Sequence, residues 1–251
     1  MIVSAVLAVT QSCFLLYQVG VGEVRRNPST SCRVRVSPQS TFKVPHALAA
    51  LDAKVIDETT LVKYDGHPID FPAWGRDHTL DTAMRYSVVW FFQEIARRLG
   101  VDRERRYLES FDYGNRDPSS GLTSFWLGGS LAISAEEQLA FLRKLYANQL
   151  SIAPEAAAAV RRILIQPNGE IVNAAGEHPF AQPWPVDAVV SAKTGAGPTG
   201  DRRAVRWLVG HVRRGPREWL FVSNVISDDD LPPLVAVEQA ERALTDTRVL
   251  R

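Results

Sequence analysis

The chain has 251 residues, 45% hydrophobic and 23% charged, with 29 Lys plus Arg against 28 Asp plus Glu and a formal net charge of +1. This composition describes one ordinary soluble globular unit with enough apolar residues for its own core, and it excludes collagen-like, disordered and membrane-spanning chains. The even charge balance also excludes a dedicated nucleic-acid surface, which would carry a strong basic excess.

Residues 1–36 read as strands. Met1–Val9 (MIVSAVLAV) is apolar, lacks a basic leading region and is short for a secretion signal, so it reads as a first strand of a processed chain. Phe14–Tyr17 and Val24–Arg26 flank Gly20-Val21-Gly22 and predict a hairpin. Cys13 and Cys32 lie on either side of it, with no CxxC spacing and no paired histidines, which speaks against zinc. They form either a bridge in an oxidising compartment or two reduced thiols packed as small hydrophobes, because spacing carries no Cβ distance.

Residues 37–165 read as mostly helical. Val44–Ala53 predicts one helix. Ser87–Leu99 predicts another, with Val88, Phe91, Phe92, Ile95 and Leu99 on one stripe and Gly100 as its stop. Ser134-Ala-Glu-Glu137 is a capping box opening a helix through Tyr146, and Pro154–Leu164 predicts an alanine-rich helix. Strand patterns return at Ala188–Ser191, Ala204–His211 and Trp219–Val225, the last two joined by the turn Arg213-Arg214-Gly215-Pro216. A final helix is expected over Val235–Thr245. Strands at both ends with helices between predict an α/β (α+β) fold, a central antiparallel sheet from both termini flanked by helices. The expectation is a single domain, with a sheet lobe of about 1–36 and 185–251 and an inserted helical lobe of about 37–184.

Three short motifs could carry chemistry. Ser40-Thr41-Phe42-Lys43 puts a hydroxyl and an amine at i and i+3, on one helical face. A lysine takes a serine proton only when neutral, and both burial and a helix N-terminus lower its pKa. The plainer reading makes Ser40 a helix N-cap and Lys43 a solvated charge. Ser87-Val88-Val89 opens the next helix, where Ser87 could again be an N-cap. Lys193-Thr194-Gly195 is expected at the end of the strand Val189–Ala192, with Gly195 letting a ligand lie close. A competing pattern, Gly128-Gly129-Ser130-Leu131-Ala132 followed by Asp187 and His211, has the chain order of an α/β-hydrolase triad. It fails locally, because the next helix opens at Ser134 and not at Ser130. His46, His67, His78, His178 and His211 show no metal-ligand spacing and read as surface or half-buried side chains.

Taken in order, Ser-x-x-Lys, Ser-x-Val, Tyr113-Gly114-Asn115, Phe125-Trp126-Leu127 and Lys-Thr-Gly resemble the class D (oxacillinase-type) serine β-lactamases over roughly residues 14–226. The resemblance is densest at SPQSTFKVPHALAALD, WGRDHTL and YGNRDPSSGLTSFWLGGSLAIS. It implies a β-lactamase/transpeptidase-like fold and hydrolysis of β-lactam antibiotics through a serine acyl-enzyme, hence antibiotic resistance. Ser40 matches the nucleophile. Lys43 matches the lysine that takes up carbon dioxide as a carbamate and serves as general base. Ser87 matches the serine that passes a proton to the lactam nitrogen, and Lys193 its cationic partner. The backbone N–H groups of Ser40 and Ala196 match the oxyanion hole, with Thr194 and Gly195 lining the substrate strand. Val89 would supply an apolar wall and Trp126 an indole N–H for the carbamate.

No metal or other cofactor is implied, and the partner is a small β-lactam, with no nucleic acid and no membrane, in a monomer or homodimer that is periplasmic or secreted. One family feature is missing. Asp228-Asp229-Asp230-Leu231-Pro232-Pro233-Leu234 lacks the arginine that usually holds the substrate carboxylate, leaving Arg202, Arg203 and Thr194 as candidates, while Ala196 replaces a bulkier residue. The rival readings are a penicillin sensor that is acylated without turnover, a cell-wall D-Ala-D-Ala peptidase, and an inert fold relative.

Overall fold

The computed structural model describes residues 10–27 and 31–251, so the strand expected over Met1–Val9 lies outside the described residues. Strands β1 (Thr10–Gln18) and β2 (Gly22–Asn27) form the expected hairpin. The chain then runs through helices α1 (Lys43–Asp52), α2 (Leu80–Arg85), α3 (Val89–Leu99), α4 (Val101–Phe111), α5 (Ala135–Tyr146) and α6 (Pro154–Ile163). A short hairpin, β3 (Glu170–Asn173) and β4 (Gly176–Pro179), precedes the long strands β5 (Ala188–Pro198), β6 (Ala204–Arg214) and β7 (Arg217–Ser227), and α7 (Val235–Asp246) follows. The main sheet is antiparallel with order β2-β1-β7-β6-β5, so strands from both ends of the chain meet at β1–β7 as the sequence predicts.

Side chains alternate along these strands, and each face has its own core. Leu15, Val205, Trp207, Val209, Leu220 and Val222 turn toward α1–α6, in one large apolar cluster with Phe42, Leu48, Phe91, Phe92 and Trp126. Phe14, Leu16, Val190, Leu208, Val212 and Phe221 turn the other way, onto Val237, Ala240 and Leu244 of α7. Strand β5 is therefore an edge whose backing is β6, and its inner face looks into the helices.

The structure corrects several expectations. The β3–β4 hairpin falls inside residues read as a helical lobe: each strand has only four residues, Ile171 and Val172 are buried side by side in β3, and β4 has no apolar alternation. Strand β5 runs on to Pro198, so Lys193-Thr194-Gly195 lies mid-strand and not at a strand end. His46, His78 and His211 are buried, not surface residues. Gly100 does stop α3, at φ 76°, and the chain at once starts α4.

Cys13 on β1 and Cys32 in the 3-10 turn Ser31–Arg33 form a disulfide, which settles the alternative left open by their spacing. Their separation of 19 residues makes a closed loop of moderate length, for which cross-linking the unfolded chain is worth about 3 kcal/mol. A Cys13→Ala/Cys32→Ala variant is expected to lose about that much stability in a urea titration. An unchanged midpoint would show that the bridge constrains nothing.

Candidate active site

Ser40 lies in the 3-10 turn Gln39–Phe42, which runs straight into α1 at Lys43. It is therefore not an N-cap; Pro38 occupies that position. The turn is held from several sides. Thr41 Oγ1 donates to Pro38 O at 2.7 Å and accepts from Gln138 Nε2 of α5 at 2.7 Å. Gln39 has a left-handed φ of 52°, unusual for a side chain with a Cβ, and strain of that kind persists only where the surroundings impose it. Here they do: Gln39 N donates to Trp126 O at 3.1 Å, and Gln39 Nε2 donates to Pro198 O of β5 at 2.5 Å.

The helical spacing brings Lys43 Nζ to 2.6 Å from Ser40 Oγ, to which it donates. Lys43 is 0% exposed, so the solvated-charge reading fails. Burial, with Lys193 adding a second positive charge nearby, holds its pKa well below the ordinary lysine value. The amine is thus favoured in the neutral form that can act on a proton or on carbon dioxide. Its Nζ also sits 5.5 Å from the centre of the Phe92 ring.

Ser87 falls between α2 and α3, not at an N-cap, since α3 begins at Val89 with Val88 before it. Its φ of 55° turns the backbone sharply, and the side chain is buried. Lys193 Nζ reaches it from β5, donating to Ser87 Oγ at 3.0 Å and to Thr194 O at 3.2 Å. Burial lowers the Lys193 pKa to about 7. The site thus contains two serine–lysine pairs: Ser40–Lys43, three residues apart, and Ser87–Lys193, whose members lie 106 residues apart in the sequence.

Gly195 shows why no side chain is tolerated between them. A Cβ there would stand 2.9 Å from Pro38 O and 3.1 Å from Thr41 Cγ2. The strand packs directly on the Ser40 turn, and only glycine permits that approach. Thr194 is half-buried and Ala196 exposed, and by alternation both stand on the face opposite Lys193 and Gly195. Ala196 pairs with Arg206 of β6, which puts Arg206 on that same face.

Trp126 is fully buried, and its Nε1–H has no hydrogen-bond partner. A buried orphan donor is costly and calls for an acceptor. Its loop is secured by the Tyr-Gly-Asn motif. Asn115 Nδ2 donates to Ser130 O at 2.7 Å, and Asn115 Oδ1 accepts from Ala132 N at 2.9 Å. Val89, half-buried, packs against the same core as the first residue of α3.

The hydrolase-triad alternative does not assemble. Ser130 Oγ donates to Asp117 O, Asp187 pairs with Arg214, and His211 pairs with Glu218. No cluster of metal-ligating side chains occurs among the described residues. The supports Gln39, Gln138 and Asn115 escape a motif search for catalytic groups, though Asn115 lies inside one of the matched motifs.

The penicillin binding protein transpeptidase domain model matches residues 16–239 of this chain. β-Lactamase OXA-1 of Escherichia coli is 35% identical over 223 residues, 85% of this chain and 75% of that protein. β-Lactamase OXA-48 of Klebsiella pneumoniae is 41% identical over 190 residues, 75% of this chain, and the match spans 65% of that protein's length. A class D β-lactamase structure from Bacillus subtilis superposes with a TM-score of 0.82 at 31% identity, covering 96% of this chain and 93% of that one. The class D enzyme FUS-1 from Fusobacterium nucleatum subsp. polymorphum shares the fold at a TM-score of 0.85 and 23% identity, covering 96% and 94%.

Proposed function

This chain belongs to the class D β-lactamases, within the penicillin-binding protein transpeptidase family, and from that membership we propose that it hydrolyses β-lactams through an acyl-enzyme on Ser40. The observation that carries the reading is the fully buried Lys43 amine, 2.6 Å from Ser40 Oγ. Ser40 Oγ adds to the lactam carbonyl as its proton passes to the Lys43 side. The C–N bond of the ring breaks, and Ser87 gives the departing nitrogen a proton that Lys193 replaces. Water then adds to the ester, Ser40 recovers its proton, and the opened acid leaves. The N–H groups of Ser40 and Ala196 receive the oxyanion at both stages.

Carboxylated by carbon dioxide, Lys43 would supply an anionic general base to both half-reactions. Two features fit that group: a dry, neutral-leaning amine, and the unpartnered indole N–H of Trp126 able to donate to a carbamate oxygen. Val89 would close the pocket with an apolar wall. The substrate carboxylate would meet Thr194 near Lys193, with Arg202 or Arg203 of the loop after β5 as a further cation, Arg203 being held by Asp201 at 2.8 Å. The Cys13–Cys32 bridge favours an oxidising compartment, hence export to the periplasm or medium.

The test is turnover of a chromogenic cephalosporin by the full chain, with and without added bicarbonate, beside Ser40→Ala. Expected are many turnovers per enzyme, none in Ser40→Ala, and loss in bicarbonate-depleted buffer that added bicarbonate restores. One equivalent of product and then arrest would mark a sensor. Activity indifferent to bicarbonate would remove the carbamate from the reading.

A further inference from the structure

One turn after Lys43 on α1, His46 is buried, and so is Glu104 of α4, which faces it. His46 Nε2 lies 2.6 Å from Glu104 Oε1, a contact that is ionic in distance but off the hydrogen-bond axis in angle. A carboxyl group and an imidazole deep between helices carry a desolvation cost that an aliphatic pair would not. They take no part in the reaction above.

Their neighbours show where they act. The His46 ring packs on Trp126 with centroids 5.2 Å apart at 67°, on Phe42 at 5.2 Å and on Phe92 at 5.9 Å. Phe92 is the ring that faces Lys43 Nζ, and Trp126 is the ring with the unpartnered N–H. The imidazole thus touches both aromatic walls of the lysine pocket, and Glu104 Oε1 lies against its Nε2.

We propose that Glu104 and His46 are a positioning pair: Glu104 fixes the His46 ring, and the ring fixes Trp126 and Phe92 around Lys43 so that the amine can be carboxylated. The inference rests on the carbamate reading of the previous subsection. Aromatic rings have shallow orientational preferences, and a wedge that is itself anchored removes that freedom. Without the anchor, the indole N–H no longer stays where a carbamate oxygen would sit.

The experiment compares the parent with Glu104→Gln, Glu104→Met and His46→Asn, each checked for folding by circular dichroism. Glu104→Met refills the volume with apolar atoms, so a folded variant is available even if the glutamine is not accommodated. Two quantities are read: the bicarbonate concentration giving half-maximal cephalosporin turnover, and the carbamate signal in the 13C spectrum after addition of 13C-bicarbonate. Outer partners of a bound group typically matter about ten- to hundred-fold, and a rise of that size in half-saturating bicarbonate is expected, with a weaker carbamate signal at fixed bicarbonate. Excess bicarbonate should restore most of the turnover, which a general loss of structure would not allow. Folded variants with the parent's bicarbonate dependence and carbamate signal overturn the pair while leaving the carbamate reading intact. A parent with neither bicarbonate dependence nor a carbamate signal overturns both.

Discussion

A Lys43→Ala variant is expected to react with a penicillin slowly, once, and then to remain acylated. Intact-protein mass spectrometry should show a stable adduct of the whole drug, where the parent shows only a transient one. Removing a general base costs about 10²–10⁴ in rate, and here the same side chain serves both half-reactions, so steady-state turnover should fall to the upper end of that range. The reason lies in its surroundings. Lys43 is fully buried, donates to Ser40 Oγ and lies near a second lysine. No other titratable side chain is hydrogen-bonded to Ser40 among the described residues, so nothing can substitute for it. Bicarbonate should have no effect on the variant. Turnover within tenfold of the parent would show that the base is elsewhere.

How much of this was legible in the sequence depended on whether a signal is local. The Ser134 capping box closes as predicted, with Ser134 Oγ accepting from Glu137 N at 3.2 Å and Glu137 Oε2 accepting from Ser134 N at 2.9 Å. Gly100 stops its helix, and Ser40 and Lys43 meet because three residues of helical backbone bring them together. The pairing of Ser87 with Lys193 is not local; only the order of motifs in a known family suggested it. Serine before an apolar run is the usual cap signal, so the residues alone offer an N-cap at Ser87 beside the relay role, whereas its left-handed φ is imposed by the junction of α2 and α3. His46 and Glu104 were illegible for the opposite reason. Polar residues on a helix read as solvent-facing, and only the packing of α4 on α1 hides them from water.

Ser87→Ala is expected to slow acylation by about a hundredfold or more, the range for loss of a positioned proton donor, and to leave substrate affinity much less changed. Stopped-flow separation of binding from acylation would check it, and an affinity loss without a rate loss would refute the relay. The pH dependence carries the sign of the same argument. Desolvation lowers Lys193 to about 7, so in the uncarboxylated enzyme the ammonium prevails below that pH and the amine above it. Lys43, depressed by burial and by Lys193, would become an anion on carboxylation, and the two like charges would turn into an opposed pair. An anion nearby favours the ammonium, so the Lys193 midpoint should move up when bicarbonate is added. Chemical shifts of 15Nζ-labelled lysine should therefore show a midpoint near 7 without bicarbonate and a higher one with it. The alkaline limb of kcat/KM should follow the higher value. On the acid side activity should fall as Lys43 takes a proton and no longer reacts with carbon dioxide, giving a bell whose alkaline arm follows Lys193 itself. A Lys193 midpoint that stays fixed or moves down on adding bicarbonate would mean that no anion forms beside it.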